Sequence, residues 1–127
     1  MDGRVSMEPR ISIVTLGVDD LDRAAAFYGA MGLERHRKFT EGVAFFQMGG
    51  LILALWPREE LAADAGLAGD AARGSGVALA YNTRTPQEVS EILDRAEKAG
   101  GRLLKPAQRA FWGGMQGYFE DTEGNLW

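Results

Sequence analysis

Hydrophobic and polar positions follow two different periods in the first thirty residues of the chain. Residues 10–18 (RISIVTLGV) are rich in β-branched side chains and roughly alternate, which is typical of a largely buried strand. From Leu21 to Tyr28 the apolar residues recur at helical spacing. Asp20 is a suitable N-cap for this helix, and Gly32 is a suitable stop. The pattern therefore predicts a strand followed by a helix.

Short strand candidates complete this first unit. They are residues 33–39, 43–48 and 51–56. Gly49 and Gly50 join the last two in a tight hairpin. A short helical piece follows at 57–64, and residues 65–75 are rich in Gly, Ala and Asp, as in an exposed connector. We predict a first β-α-β-β-β module at about 8–64.

The pattern then repeats. Residues 76–83 are strand-like, and TPQE at 85–88 predicts a capping box with proline at the first helical position. The helix ends at Gly100 and Gly101, after which 102–104 and 115–120 are strand candidates. A last strand starts at Asn125 and is cut short. The prediction is one domain, 1–127, made of module one, a connector at 65–75, and module two at 76–127 with a truncated last strand.

Composition excludes several classes of function. The chain has no cysteine, which excludes disulfides, zinc–thiolate sites and thiol nucleophiles. A net charge of −4 argues against a nucleic-acid footprint. No apolar run approaches the roughly 20 residues of a membrane helix, and the first residues lack the apolar core of a signal peptide. We therefore expect a cytoplasmic protein with no nucleic-acid partner and no membrane partner.

Three motifs occur in a fixed order along the chain. They are VDDL at 18–21 with FY at 27–28 and MGL at 31–33, then AGG at 99–101, and finally WGG at 112–114 leading into FEDTEGNL at 119–126. In order and spacing they resemble the vicinal oxygen chelate family, which includes glyoxalase I, extradiol dioxygenases and bleomycin-resistance proteins. The resemblance implies an α+β fold in which two βαβββ modules form a curved, partly closed mixed sheet around a cavity.

The resemblance also implies where a metal would bind. In metal-dependent members, inward-facing His or Glu side chains lie on the first and last strands of each module, because a divalent ion that holds substrate oxygens needs hard ligands. These positions fall at Ile13, near Ala54, near Val77, and one residue beyond Trp127. Residues 11–18, 43–56 and 76–83 contain no His, Asp or Glu, and the only histidine, His36, lies in a basic run expected at the surface. We therefore predict no metal and no cofactor.

Aromatic and amide side chains remain as candidates for contacting a small ligand, because such sites are mostly apolar with a few polar groups. The candidate ligand-binding residues are Phe111, Trp112, Trp56, Tyr118, Gln47 and Gln116. Core packing is the alternative explanation for the aromatic residues, and solvent exposure is the alternative for the two glutamines. The sequence identifies no catalytic residue.

The leading hypothesis is a metal-free member of the family that binds a small planar or aromatic molecule in the sheet cavity. The alternative is a lyase or dioxygenase-type enzyme with a displaced or incomplete metal site, so the sequence leaves open whether a reaction is catalysed. A third interpretation is a regulatory domain that binds a protein partner through its sheet edges. We expect a homodimer in each case, because an unfinished last strand leaves an edge that needs cover.

Overall fold

The structure, a computed structural model, describes residues 8–64, 77–110 and 113–127. Along these residues the strands and helices form two successive blocks. In chain order the elements are β1 (Ile13–Val18), α1 (Leu21–Ala30), β2 (Ala44–Met48), β3 (Leu51–Pro57), α2 (Arg58–Asp64), α3 (Gln87–Lys98), β4 (Arg102–Arg109) and β5 (Met115–Glu120). The predicted connector at 65–75 lies outside the described residues. No helix in the described part of the chain is long and apolar enough to cross a membrane.

The first block forms a three-stranded mixed sheet in the order β1-β3-β2. β1 runs parallel to β3, and β2 pairs antiparallel with β3 across the predicted turn at Gly49 and Gly50. The register aligns Thr15 with Ala54 and Ala54 with Phe45, so these three residues form one row across the sheet. The predicted hairpin is therefore confirmed.

The second block repeats this arrangement in part. β4 and β5 form an antiparallel pair, and the residues after β5 turn back so that Leu126 bridges Glu120 in antiparallel orientation. Leu126 also bridges Ala78 in parallel orientation, as β3 pairs with β1 in the first block. The fold is thus α+β with mixed strand pairing, and the sheet is not closed in the described part of the chain.

Helices α1 and α3 both contribute to one hydrophobic cluster. Tyr28 and Phe27 of α1 are almost fully buried, and so is Phe46 of β2. The Phe27 ring lies 6.4 Å from that of Phe119 in β5, which joins the two blocks. Leu93 of α3 is buried in the same cluster. Since apolar burial is the main favourable term in folding, this shared cluster is what holds the blocks together.

The helix ends follow the predicted signals except at one position. Asp20 caps α1 by accepting from the Arg23 amide at 3.1 Å, and Gly32 and Gly100 follow the two long helices with φ of 104° and 106°. Only glycine adopts such angles without strain. The predicted capping box differs: the Thr85 hydroxyl donates to the Glu88 carboxylate at 3.1 Å instead of accepting from the helix backbone.

Two predicted strands are shorter than expected and one is longer. Residues 33–39 pair through an Arg35–Phe46 bridge, and the Arg35 guanidinium donates to the Val43 and Thr40 carbonyls at 2.7 and 3.1 Å. Residues 77–83 pair only at Ala78. β4 extends to Arg109 with register shifts on either side of Lys105. Pro106 lies in this stretch without an N–H donor, which obscures the strand pattern.

Candidate functional site

One face of the first sheet points away from α1 and the core. Side chains alternate across a strand, and Val14 and Leu16 of β1 pack against the core cluster. The intervening Thr15 therefore lies on the opposite face, with Ala54 and Phe45 in the same row. We call this surface the open face; it is defined by Ile13, Thr15, Phe45, Gln47, Ile52, Ala54 and Trp56. It is apolar except for one hydroxyl and one amide.

Two of the predicted ligand-binding residues lie on the open face. Trp56 is half-buried near the end of β3, where it aligns with Gly17. Gln47 is exposed, and its side-chain nitrogen donates to the Gly49 carbonyl at 2.7 Å and the Leu51 carbonyl at 3.3 Å. That amide nitrogen is thus occupied by the hairpin turn, which leaves the Gln47 carbonyl oxygen as the group available to a ligand.

Two further predicted residues lie on the second sheet. Gln116 and Tyr118 lie on the face of β5 opposite to Phe119, which faces the core. Both line a cavity of about 560 Å³ between β5 and residues 79–86. The open-face residues Trp56 and Gln47 do not line this cavity. The structure therefore places the predicted residues in two groups on two sheets. Phe111 and Trp112 lie outside the described residues.

The chemistry of the predicted metal positions does not fit a metal ion. Ile13 is 51% exposed, Ala54 is buried, and Val77 is 58% exposed, and none has a coordinating side chain. Within 8–64, 77–110 and 113–127, no group of three or more His, Cys, Asp or Glu side chains is placed to hold a metal. His36 is exposed and stacks on Phe39 with ring centroids 5.8 Å apart. No metal-dependent step can be derived from these residues.

A buried carboxylate organises the turn after β5. Asp121 is 4% exposed and accepts from the Tyr28 hydroxyl at 2.6 Å and from the backbone amides of Glu123 and Asn125 at 2.9 and 2.8 Å. The Asn125 side chain adds a fourth hydrogen bond at 2.8 Å. Trp127 completes the group, since its indole N–H donates to the Tyr28 hydroxyl at 3.0 Å. We call Tyr28, Asp121, Asn125 and Trp127 the polar hub.

A second carboxylate binds the start of α1. Glu123 accepts from the backbone amides of Asp19 and Asp20, each at 2.9 Å. Its side chain is only 6% exposed, and Arg58 of α2 lies 3.8 Å away. Negative charge near a helix N-terminus is favoured by the helix dipole. Glu123 in the second block therefore stabilises α1 in the first block. The motif after β5 thus joins the two blocks.

The polar hub gives the protein a defined response to alkaline pH. Burial, followed by the charge of Asp121, raises the pKa of the Tyr28 hydroxyl above its ordinary value of 10.0. The unfolded chain loses this proton near pH 10, whereas the folded chain keeps it. The contribution of Tyr28 to the free energy of unfolding is therefore complete below pH 10. Above pH 10 it falls by about 1.4 kcal/mol per pH unit. Urea unfolding at a series of pH values measures this slope.

Tyr28→Phe is the matched control for the alkaline slope, because it keeps the ring and removes the ionising hydroxyl. We expect the difference in unfolding free energy between the native protein and Tyr28→Phe to be constant below pH 10 and to shrink above it. Other groups titrate equally in both proteins and cancel in the difference. A difference that stays constant up to pH 11.5 would contradict the assignment.

The fold is that of a protein built from two similar strand–helix–strand units. A profile of the glyoxalase/bleomycin resistance protein/dioxygenase superfamily matches residues 10–127. The chain belongs to this superfamily. A comparison with curated proteins found no significant match.

Several solved structures are similar to this chain. A glyoxalase-related enzyme from Fulvimarina pelagi is 37% identical, with 94% of this chain and 86% of that chain covered and a TM-score of 0.87. A glyoxalase/bleomycin resistance protein/dioxygenase from Nocardioides is 26% identical, covering 97% and 83%, with a TM-score of 0.75. Lactoylglutathione lyase from Agrobacterium tumefaciens is 28% identical, covering 94% and 91%, with a TM-score of 0.69.

Two kinds of residue in or near the candidate sites are not evident from the sequence. Phe45 and Thr15 lie on the open face beside Ala54, and the alternation of residues 43–48 was a signal that Phe45 and Gln47 share a face. In the sequence Asp121 and Glu123 stand out only as members of the FEDTEGNL motif. Their roles depend on Tyr28 and Asp19, which are about a hundred residues away in the chain. No local pattern reveals a partner at that distance.

Proposed function

We propose that the protein binds a small planar or aromatic molecule without a metal on the open face of the first sheet, and that Gln116 and Tyr118 form a second candidate surface on the other sheet. The observation that carries the proposal is the composition of the open face. Where metal-dependent members of the family are expected to have ligands, it has Ile13 and Ala54, next to Phe45 and Trp56. Aromatic and aliphatic side chains with a few amides suit an uncharged, flat ligand.

The row of Thr15, Ala54 and Phe45 supports this proposal geometrically. Ala54 is the smallest member of the row and only 3% exposed, so Thr15 and Phe45 on either side of it supply one polar and one aromatic contact surface. A flat molecule placed there can stack on Phe45 while the Thr15 hydroxyl donates or accepts a hydrogen bond. Trp56 is the next residue after Ala54 on the same face of β3 and offers a second stacking surface.

A thermal-shift assay with a panel of aromatic antibiotics and planar metabolites tests this proposal. A ligand that binds only the native state stabilises it, by about 2.7 kcal/mol at a hundred times its Kd. We expect at least one compound to raise the Tm, and Phe45→Ala to weaken that compound at least about tenfold, because stacking and apolar contact are lost. Isothermal titration calorimetry gives the change in Kd.

Phe39→Ala is the matched control for this experiment. Phe39 is also an exposed aromatic residue, at 57%, but it stacks on His36 outside the open face. Its replacement should leave the Kd unchanged. Equal loss of affinity in both variants would show that the ligand does not bind at the open face. The proposal would be wrong if no compound in the panel raised the Tm.

An enzymatic function is the second candidate, and the similar structures favour it. They include a glyoxalase-related enzyme at 37% identity and a lactoylglutathione lyase at 28% identity. In this case we propose a lyase or dioxygenase-type activity with a displaced or incomplete metal site. Metal analysis of untagged protein, combined with lactoylglutathione lyase and catechol-cleavage assays with added zinc, nickel, manganese or iron, tests this. Turnover that depends on stoichiometric metal would replace the binding proposal.

We also propose that the protein is a homodimer in which a second copy covers exposed strand edges. Within the described residues β1 pairs with β3 on one side only, and Ile11 just before β1 and Ile13 at its start are 64% and 51% exposed. In the second block Val77 is 58% exposed. Apolar side chains on an unpaired edge are a template for association. Sedimentation equilibrium should show a dimer, and Ile11→Lys should shift it toward the monomer.

A further inference from the structure

The short helix α2 begins directly after β3 and packs against the sheet. β3 ends at Pro57 and α2 runs from Arg58 to Asp64, with no residue between the two elements. Proline has no N–H to donate to a further strand partner, so it suits the end of a strand. Ala62 in the middle of α2 is only 1% exposed, so the helix lies on the protein and does not project into solvent.

Gly17 identifies the face of the first sheet that α2 covers. Leu16 and Val18 of β1 belong to the core side, so by alternation the position of Gly17 belongs to the open face. A Cβ added to Gly17 would lie 3.2 Å from Leu61 Cδ2 and 3.5 Å from Arg58 Cα. The side chain of Leu61 therefore lies directly above Gly17, on the same side of the sheet as the open face.

An ion pair holds α2 in this position. Arg58 Nε lies 3.0 Å from Asp19 Oδ1, and Arg58 Nη2 lies 3.8 Å from Glu123 Oε1. The side chains of Arg58 and Glu123 are only 11% and 6% exposed. Separating charged groups that are this buried is strongly unfavourable, because each would lose its partner without regaining full hydration. α2 is thus anchored at its first residue to the start of α1 and to the turn after β5.

The anchored helix closes the aromatic end of the open face. Phe45 pairs with Ala54, so Trp56, two residues further along β3, is the diagonal neighbour of Phe45. Diagonal neighbours lie about 7–8 Å apart, which is within the span of two fused aromatic rings. Trp56 aligns with Gly17, above which Leu61 lies. A flat molecule that stacks on both aromatic side chains therefore has its leading edge directed at Leu61.

We propose that Leu61 sets the length of the ligand, so that the open face takes a planar molecule of two fused rings and excludes a third ring in line with them. The inference rests on the ligand site proposed above and adds the size class of its ligand. A third ring would have to displace α2, which the buried pairing of Arg58 opposes. Gly17 contributes through its missing side chain, since a Cβ there would press against Leu61.

2-Naphthol and 2-anthrol test the length limit, because they carry the same hydroxyl and differ by one linearly fused ring. The larger probe has more apolar surface and would bind more tightly on an unlimited surface. We expect the native protein instead to bind 2-naphthol at least about tenfold more tightly, because the third ring overlaps Leu61. Titrations that follow the fluorescence of the probes give both Kd values.

Two substitutions at Leu61 should change these affinities in opposite directions. Leu61→Ala removes the outer part of the side chain and should strengthen 2-anthrol binding about tenfold. Leu61→Phe extends the side chain and should weaken 2-naphthol binding about tenfold. A general loss of structure would weaken both probes alike, so opposite changes identify a length limit. Leu61→Phe decides the inference by itself if Leu61→Ala does not fold by far-ultraviolet circular dichroism.

Leu104→Ala is the matched control, since Leu104 is also a partly exposed leucine, at 43%, but lies on β4 in the second sheet. It should leave both Kd values unchanged. If the ratio of the two Kd values were the same in the native protein and in the Leu61 variants, the length limit would be wrong while binding at the open face would stand. If neither probe bound to any of these chains, the ligand site itself would be wrong and the length limit with it.

Discussion

Asp121→Ala should lower the free energy of unfolding by about 3–5 kcal/mol, the largest effect that we expect from a single substitution in this protein. The carboxylate is buried and accepts four hydrogen bonds. Alanine would leave the Tyr28 hydroxyl and the amides of Glu123 and Asn125 without this acceptor. A buried donor that loses its partner costs about 1–3 kcal/mol, and the costs within one network are not additive.

The loss should reach both sheets, because the polar hub joins them. Tyr28 belongs to α1 in the first block, whereas Asp121 and Trp127 belong to the second. Equilibrium urea unfolding followed by far-ultraviolet circular dichroism and by tryptophan fluorescence measures both the size and the extent of the effect. We expect the two probes to shift to lower urea together.

Glu91→Ala is the matched control for Asp121→Ala, since it also removes an acidic side chain but from an exposed position on α3. Exposed substitutions of this kind change stability by about 0.5 kcal/mol or less. If Asp121→Ala were no more destabilising than Glu91→Ala, the polar hub would not be a structural centre. The acidic residue of the motif would then have to be explained by another role.

Gly101→Ala should destabilise the protein by about 1–3 kcal/mol through overpacking. An added Cβ would lie 2.7 Å from the Glu120 carbonyl oxygen, 2.8 Å from the Phe27 ring and 3.0 Å from the Ala96 carbonyl oxygen. Two of these three contacts are with backbone atoms that pairing and helix geometry hold in place, so only the Phe27 ring can yield. Moving that ring disturbs its contact with Phe119 in the shared cluster.

Gly29→Ala is the control, and it should have the opposite sign. Gly29 lies within α1 with nothing within 4 Å of an added Cβ. Alanine there favours the helix and reduces the freedom of the unfolded chain, which should stabilise the protein by about 0.4–1 kcal/mol. Thermal and urea unfolding of the two variants side by side measures this contrast. An unaffected Gly101→Ala would show that an added Cβ is not crowded at Gly101. A destabilised Gly29→Ala would show that the space around Gly29 is not open.

Family membership and most elements could be predicted from the sequence because they depend on local patterns. Gly32 and Gly100 end the two long helices, and both adopt angles that favour glycine. The hairpin at Gly49 and the strand at Met115–Glu120 depend on short-range turn and alternation signals in the same way. The candidate ligand-binding residues were less predictable, because the sequence grouped Trp56 with Tyr118 whereas the structure places them on separate sheets.

The sequence by itself determined the order of elements, the ends of the helices and the absence of coordinating side chains at Ile13 and Ala54, because each of these depends on residue type and near neighbours. Only the tertiary structure decided that Asp121 and Glu123 bind α1 and that Leu126 pairs with Ala78 beside the cavity lined by Tyr118. These features pair residues roughly 50 to 100 positions apart. Such contacts form only when both blocks pack around one core, and no local period along the chain encodes them.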